Sequence, residues 1–117
     1  MTIVDKKTMQ EETIVSEVCL LATGRAPYTR NLGLENIGVS LDSFGRIPVD
    51  QTFMTAHKKV YAIGDVIEGP MLAHKAEEEG IAVAEFISGH DSHVNYNAIP
   101  SVIYTYPEVA SVGLTEQ

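Results

Sequence analysis

The stretch VYAIGDVIEGPMLAHKAEEEG, Val60 to Gly80, decides how this chain is read. Val60–Ile63 is continuously apolar and predicts a strand buried on both faces. That strand ends in Gly64-Asp65, and a helix begins after Gly69-Pro70. A carboxylate at a strand end does one of two things: it caps the following turn, or it accepts hydrogen bonds from ligand hydroxyls. In open α/β sheets the carboxyl ends of strands line the ligand crevice. There Gly64 would let a ligand approach closely and Asp65 would offer two acceptor oxygens.

The helix is predicted over residues 71 to 88, where Leu72, Ala73, Ala76, Gly80, Val83, Ala84 and Ile87 recur at offsets of three and four. Glu77, Glu78, Glu79 and Glu85 fall largely outside that face, and Lys75 with the Glu77–Glu79 run reads as solvated helix surface. Pro70 suits the first turn and Gly89 a C-cap. Gly69-Pro70 supplies no capping side chain. The unpaired N–H groups and positive dipole end near Met71 therefore form an anion-friendly site that something else must satisfy.

Working outward toward the N-terminus, Thr2–Val4 and Thr13–Ala22 flank the polar stretch Asp5–Glu12 as the arms of a β-hairpin. The second arm ends continuously apolar in Val18-Cys19-Leu20-Leu21-Ala22, as a strand does when it enters a doubly covered sheet. Gly24 stops it. Between Arg25 and Gly38 there is room for a short helix around Leu32–Glu35. Asp42-Ser43-Phe44-Gly45 reads as a turn and Ile47–Val49 as a short strand. Toward the C-terminus, His90 to Asn97 is a polar linker, and Ser101–Tyr106 and Ala110–Val112 read as strands on either side of Pro107-Glu108. Leu114-Thr115-Glu116-Gln117 resembles a helix start with Thr115 as N-cap. Less than one helical turn does not hold itself together, so the expectation is a segment of a longer protein, cut at both ends.

A net charge of −8, with only eight Lys and Arg, offers no basic stripe for phosphates, so nucleic acid is not an expected partner. No apolar run approaches the roughly 18 residues that span a bilayer, and MTIVDKKTMQ lacks a signal-peptide core, so no membrane is expected either. The single cysteine, Cys19, makes no internal disulfide and reads as a buried structural thiol in a reducing compartment. His57, His90 and His93 lack metal-ligand spacing.

The run from Thr52 to Gly80, with VYAIGDV and GPMLAHKAEEEG, resembles the second flavin-binding motif of the pyridine nucleotide-disulfide oxidoreductases, and within them the dihydrolipoamide-oxidising branch. Leu21-Ala22-Thr23-Gly24-Arg25-Ala26-Pro27 is similar to the strand and turn that leave that family's NAD domain. Ile99 to Thr105, with Pro107 to Gly113, resembles the first strands of its dimerisation domain. The resemblance implies an α/β fold: part of an FAD/NAD(P)-binding doubly wound fold plus the start of an α+β dimerisation domain. Residues 1–24 would close the NAD-binding domain, 25–90 complete the FAD-binding domain and 91–117 open the interface domain.

It also implies FAD and NAD as cofactors. Asp65, beside Gly64, would bind the ribityl hydroxyls, and the main chain of Met71, Leu72, Ala73 and His74 would lie along the flavin ring. There the helix dipole would favour the reduced state. Gly24 would sit near the nicotinamide cofactor, or else end a strand in a plain turn. Arg25 could equally be a surface charge, and for His74 a main-chain or packing role is favoured over that of a base. Implied partners are dihydrolipoamide on the lipoyl domains of 2-oxoacid dehydrogenase complexes and a second copy in a homodimer, in the cytoplasm or mitochondrial matrix. A glutathione or mercuric reductase type, or a non-catalytic assembly fragment, are the alternatives.

The sequence departs from the family pattern in several places. It holds no G-x-G-x-x-G and no C-x4-C dithiol, and the family's base lies in a segment with no counterpart here, so no catalytic residue is assigned and the chain alone is expected to be inactive. Ala26 and Tyr106 stand where relatives commonly differ.

Overall fold

Short antiparallel hairpins stand toward either end of the chain, with a packed middle between them; the computed structural model describes residues 1–116. The first hairpin pairs β1 (Thr2–Val4) with β2 (Glu11–Thr13) in the register Thr2 to Thr13, Ile3 to Glu12 and Val4 to Glu11. Its loop is built by Asp5, whose Oδ1 accepts from the backbone N–H groups of Lys7 at 2.7 Å and Thr8 at 3.0 Å. A hairpin forms here as the sequence predicts, but its second arm is Glu11–Thr13, drawn from the expected loop, and meets the expected arm Thr13–Ala22 only at Thr13. Residues 14–22 form no strand. Val18, Leu20 and Leu21 are 83%, 86% and 81% exposed, and Cys19 is exposed rather than buried. The reason is backbone bonding: an apolar strand is buried only when neighbours satisfy both its edges, and after Ile14 N–H reaches Met1 O at 2.9 Å the described residues pair it no further.

The middle is held by carboxylate-centred turns. Asp42 Oδ1 accepts from Phe44 N–H at 2.8 Å and Arg46 N–H at 2.9 Å, and its Oδ2 accepts from Arg46 Nε at 2.7 Å. Asp50 Oδ1 accepts from Thr52 N–H, Thr52 Oγ1 and Met54 N–H at 2.8, 2.7 and 3.0 Å. These turns bring Val39, Ile47, Phe53, Ala62, Ile67 and Ala82 together as the buried core. A 3-10 turn at Leu34–Ile37 lies slightly after the short helix expected around Leu32–Glu35.

Two expected strands are not formed. Ile47–Val49 has no ladder, although Ile47 N–H donates to Val66 O at 2.8 Å and its side chain is buried. Val60–Ile63 is paired on one side only, through a single bridge between Met54 and Tyr61, with only Ala62 of the four fully buried. Extended backbone needs a second neighbour to become a central strand, and the described residues provide one here only at Phe53–Thr55.

The helix α1 (Ala73–Ile87) is present, starting three residues after Pro70. It ends on Ser88 and Gly89. Gly89 has φ +85°, its N–H donates to Phe86 O at 3.0 Å, and His90 N–H donates to Glu85 O at 3.0 Å. These two bonds form the left-handed glycine cap that the sequence predicts. The buried face differs from expectation. Lys75, Glu79 and Ala82 are buried, with Ala76, Val83 and Phe86 half-buried, while Ala73, Ala84 and Ile87 face solvent. A 3-10 turn at Tyr96–Ala98 leads to β3 (Ser101–Ile103) and β4 (Val109–Ser111), antiparallel with Ser101 opposite Ser111. Leu114 to Glu116 are not helical, and Gln117, the last residue of that expected helix start, lies outside the described residues.

The radius of gyration is 19.0 Å, against about 13 Å for a compact domain near this length. Exposed apolar surface and unpaired strand edges of this kind template association. The purified 117-residue chain is therefore expected to self-associate, its sedimentation coefficient rising with concentration. A concentration-independent, compact monomer with one cooperative thermal transition would contradict this.

Candidate functional site at Gly64 and Asp65

Gly64 opens a 3-10 turn, Gly64–Val66, lying against α1. Its φ of +74° favours glycine, and a Cβ there would stand a tight 3.3 Å from the Cβ of Ala76, so a side chain would push against the helix. Both peptide groups of Gly64 are gripped from one face of that helix. Its N–H donates to Glu79 Oε2 at 2.7 Å, and its carbonyl accepts from Lys75 Nζ at 3.0 Å.

Lys75 and Glu79 are one helical turn apart, 3.0 Å from Nζ to Oε1, and both side chains are 0% exposed. They are not the solvated surface that the run of charges suggests. A buried ion pair persists only when its remaining donors and acceptors are also satisfied. Here Tyr96 completes it by donating its hydroxyl to Glu79 Oε1 at 2.8 Å. Burial, then the hydrogen bond to Glu79 and its negative charge, push the Tyr96 hydroxyl well above the usual phenol range.

Gly69 has its part in this arrangement. With φ +118°, a Cβ on it would meet Lys75 Cε at 3.0 Å. The missing side chain in the Gly-Pro entry thus makes room for the lysine stem.

Asp65 follows directly. Its carboxylate is about half exposed and pairs with Arg25, whose Nη1 lies 3.9 Å away on a side chain itself largely in water. Such a pair contributes little and leaves acceptor oxygens open. The start of α1 is similarly open. Leu72 occupies the N-cap in an extended conformation without a side-chain cap bond. Met71, Leu72 and His74 are half-buried and Ala73 is exposed. His74 Nε2–H donates to Pro100 O at 2.7 Å, so the imidazole ties the helix start to the segment before β3.

Gly24 has φ +80° and nothing within 4 Å of where a Cβ would be, so its backbone turn, not crowding within this chain, calls for glycine. Among the described residues no cluster of three or more His, Cys, Asp or Glu could hold a metal. A cavity of about 700 Å³ lies elsewhere, between Ile47, Phe53, Phe86 and Val94, and none of the expected site residues lines it.

The donor set at Gly64, Asp65 and the helix start suits a polyol beside an electron-rich ring: open carboxylate oxygens for hydroxyls, and free helix N–H groups for carbonyl oxygens or developing negative charge. Lys75, Glu79 and Tyr96 escape a reading based on hydrophobic periodicity. Their signal is a Lys and a Glu four apart, in the same stripe as Ala82 and Phe86.

Residues 2–80, more than half of the chain, match the family model described as pyridine nucleotide-disulphide oxidoreductase. The chain belongs to that family. It is 56% identical over 108 residues to dihydrolipoyl dehydrogenase 2, mitochondrial, of Arabidopsis thaliana, covering 92% of this chain and 21% of that protein. Against the human dihydrolipoyl dehydrogenase, mitochondrial, it is 56% identical over 106 residues, covering 91% and 21%.

Among solved structures, LpdA from Mycobacterium tuberculosis superposes with a TM-score of 0.70 at 30% identity over 76% of this chain and 20% of that one. The HOCl-induced flavoprotein disulfide reductase RclA from Escherichia coli gives 0.72 at 26% identity, over 81% and 22%. The chain thus spans about a fifth of the length of these relatives. The α/β class of the FAD/NAD(P)-binding disulfide oxidoreductases is its class, although among the described residues the strands are two antiparallel pairs.

Replacing Glu79 with Ala is expected to be severe. It strands the Lys75 ammonium without a counter-charge and Gly64 N–H without an acceptor, which together cost about 3–5 kcal/mol. Denaturant unfolding of the protein that carries this chain reads this out, and a loss under about 1 kcal/mol would mean the pair is dispensable.

Proposed function

We propose that the chain is part of a dihydrolipoyl dehydrogenase, the flavoenzyme that oxidises protein-bound dihydrolipoamide and reduces NAD. The observation that carries this reading is the half-exposed Asp65 carboxylate beside the uncapped start of α1, in a chain 56% identical to enzymes of that name. Asp65 would accept hydrogen bonds from the ribityl hydroxyls of FAD. The main chain of Met71, Leu72, Ala73 and His74 would lie along the flavin ring, with Gly64 giving the close approach and Gly24 near the nicotinamide cofactor. When bound, FAD supplies the two-electron chemistry linking a dithiol to NAD. This chain's own residues bind and orient: the open N–H groups at the start of α1 favour negative charge on whatever faces them. The pyrophosphate cradles and the dithiol would come from outside the 117 residues, which contain no G-x-G-x-x-G and one cysteine.

Within the whole enzyme, residues 1–24 would close the NAD-binding domain, 25–90 would complete the FAD-binding domain and 91–117 would open the dimerisation domain. The partners would be lipoyl domains of 2-oxoacid dehydrogenase complexes and a second copy of the enzyme. No helix among the described residues is long and apolar enough to cross a membrane. The relatives' names carry the word mitochondrial, and the proposed compartment is the mitochondrial matrix or the cytoplasm.

In the complete enzyme, Asp65→Ala is expected to weaken FAD binding by about ten- to a hundredfold, since hydrogen bonds to a charged acceptor contribute about 1.5–3 kcal/mol. Titration of deflavinated protein with FAD measures it, and an unchanged dissociation constant would return Asp65 to a turn-capping role.

The 117-residue chain alone is expected to give no lipoamide-dependent oxidation of NADH. The reacting groups must be held together for transfer, and this chain carries one thiol. Turnover by the purified chain would overturn that statement.

A further inference from the structure

We propose that Lys75 and Glu79 are positioning residues for flavin binding, acting through the Gly64 backbone to hold Asp65 in place. The proposal rests on the reading of Asp65 as the ribityl acceptor. Asp65 has little of its own to fix it: its carboxylate is half exposed and Arg25 stands 3.9 Å away. Its direction is therefore set by the backbone that precedes it, and the residue there is glycine, the least restrained of all, at φ +74°.

The clamp acts on that one residue from both sides. The Gly64 N–H belongs to the peptide unit shared with Ile63 and is held by Glu79 Oε2 at 2.7 Å. The Gly64 carbonyl belongs to the unit shared with Asp65 and is held by Lys75 Nζ at 3.0 Å. Fixing both planes fixes the rotation between them and hence where the Asp65 Cα sits, and the turn bond from Ile67 N–H back to the same Gly64 carbonyl, at 3.4 Å, limits how the Asp65 Cα–Cβ bond can swing about it.

Packing alone does not call for charges here. Apolar residues of similar volume fill such a space at no loss of stability, often with a gain. What an apolar pair lacks is a donor and an acceptor set one helical turn apart, matched to the carbonyl and N–H of a single residue. Tyr96 on Glu79 Oε1 and the absent Cβ of Gly69 beside Lys75 Cε complete the shell that holds the two side chains in their rotamers.

The test is a double-mutant cycle on FAD affinity in the complete enzyme, deflavinated and titrated with FAD. Lys75→Met/Glu79→Gln removes the ionic grip yet keeps volume, neutrality and an acceptor for Gly64 N–H. It is expected to raise the FAD dissociation constant at least tenfold, with the thermal midpoint of the flavin-free protein little changed. The same double replacement in an Asp65→Ala background is expected to cost almost nothing more, because the clamp acts through that carboxylate.

An equal loss in both backgrounds would show a purely structural role and overturn the proposal. So would no loss in the Asp65 background, while a loss from Asp65→Ala alone would leave the underlying reading standing. If Asp65→Ala itself leaves affinity unchanged, that reading fails and the clamp's role with it. Should the double variant not fold, Tyr96→Phe in the same cycle decides: a severalfold loss confined to the Asp65 background supports the proposal, and any other result overturns it.

Discussion

A carboxylate closed off from water, that of Glu79, accepts from three donors at once: Gly64 N–H, Lys75 Nζ and Tyr96 Oη. Each donor belongs to a different part of the middle of the chain: the turn after Val60–Ile63, the first turn of α1, and the segment leading to β3. Remove the charge and all three lose their common anchor, and a buried ammonium is left without its counter-charge. The core of Val39, Ile47, Phe53, Ala62, Ile67 and Ala82 packs beside this knot but does not replace it, because apolar contact has no direction. Direction is what the role proposed for Asp65 needs, since its oxygens would have to face outward while Gly64 faces in.

The same knot explains the composition of the loop before the helix. Gly64 and Gly69 both disfavour a side chain through positive φ, and a Cβ would crowd Ala76 Cβ at 3.3 Å in the first and the Lys75 stem at 3.0 Å in the second. Two glycines in one short loop would ordinarily make it floppy, each adding conformational freedom that folding must remove. Here the backbone bonds to Lys75 and Glu79 restrain the first, and Pro70 fixes φ directly after the second. The loop is permissive in sequence terms and held in structural ones.

How much of this the sequence discloses depends on the distance over which each signal acts. Local signals are legible. The Asp42 turn, the Gly89 cap and the strands on either side of Pro107-Glu108 are set by residues within a few positions of one another, and these appear where the pattern places them, with strand ends shifted by a few residues. Gly64-Asp65 and the uncapped helix start are legible for the same reason. Signals that need a distant partner are not. Val18–Ala22 and Val60–Ile63 carry the composition of central strands, yet a strand becomes central only through neighbours, and the described residues give the first none and the second a single bridge. Lys75 and Glu79 mislead in the opposite sense. A charged run on a helix belongs in water by every average, and only the peptide of Gly64, 11 and 15 positions back, makes burial possible.

Three consecutive glutamates then divide into two kinds. Glu77 and Glu78 are exposed, while Glu79 is buried. Lys75 is the third residue of α1, where a positive side chain opposes the positive end of the helix dipole and would by itself weaken the start of the helix. Glu79, one turn further on, cancels that repulsion at 3.0 Å. The bond from Lys75 Nζ to Gly64 O draws the ammonium off the helix and onto the turn. The helix start keeps its open N–H groups and its favourable potential, and no acidic side chain occupies its first turn. An anion or electron-rich ring arriving there would meet peptide donors with no acidic side chain of that first turn competing for them.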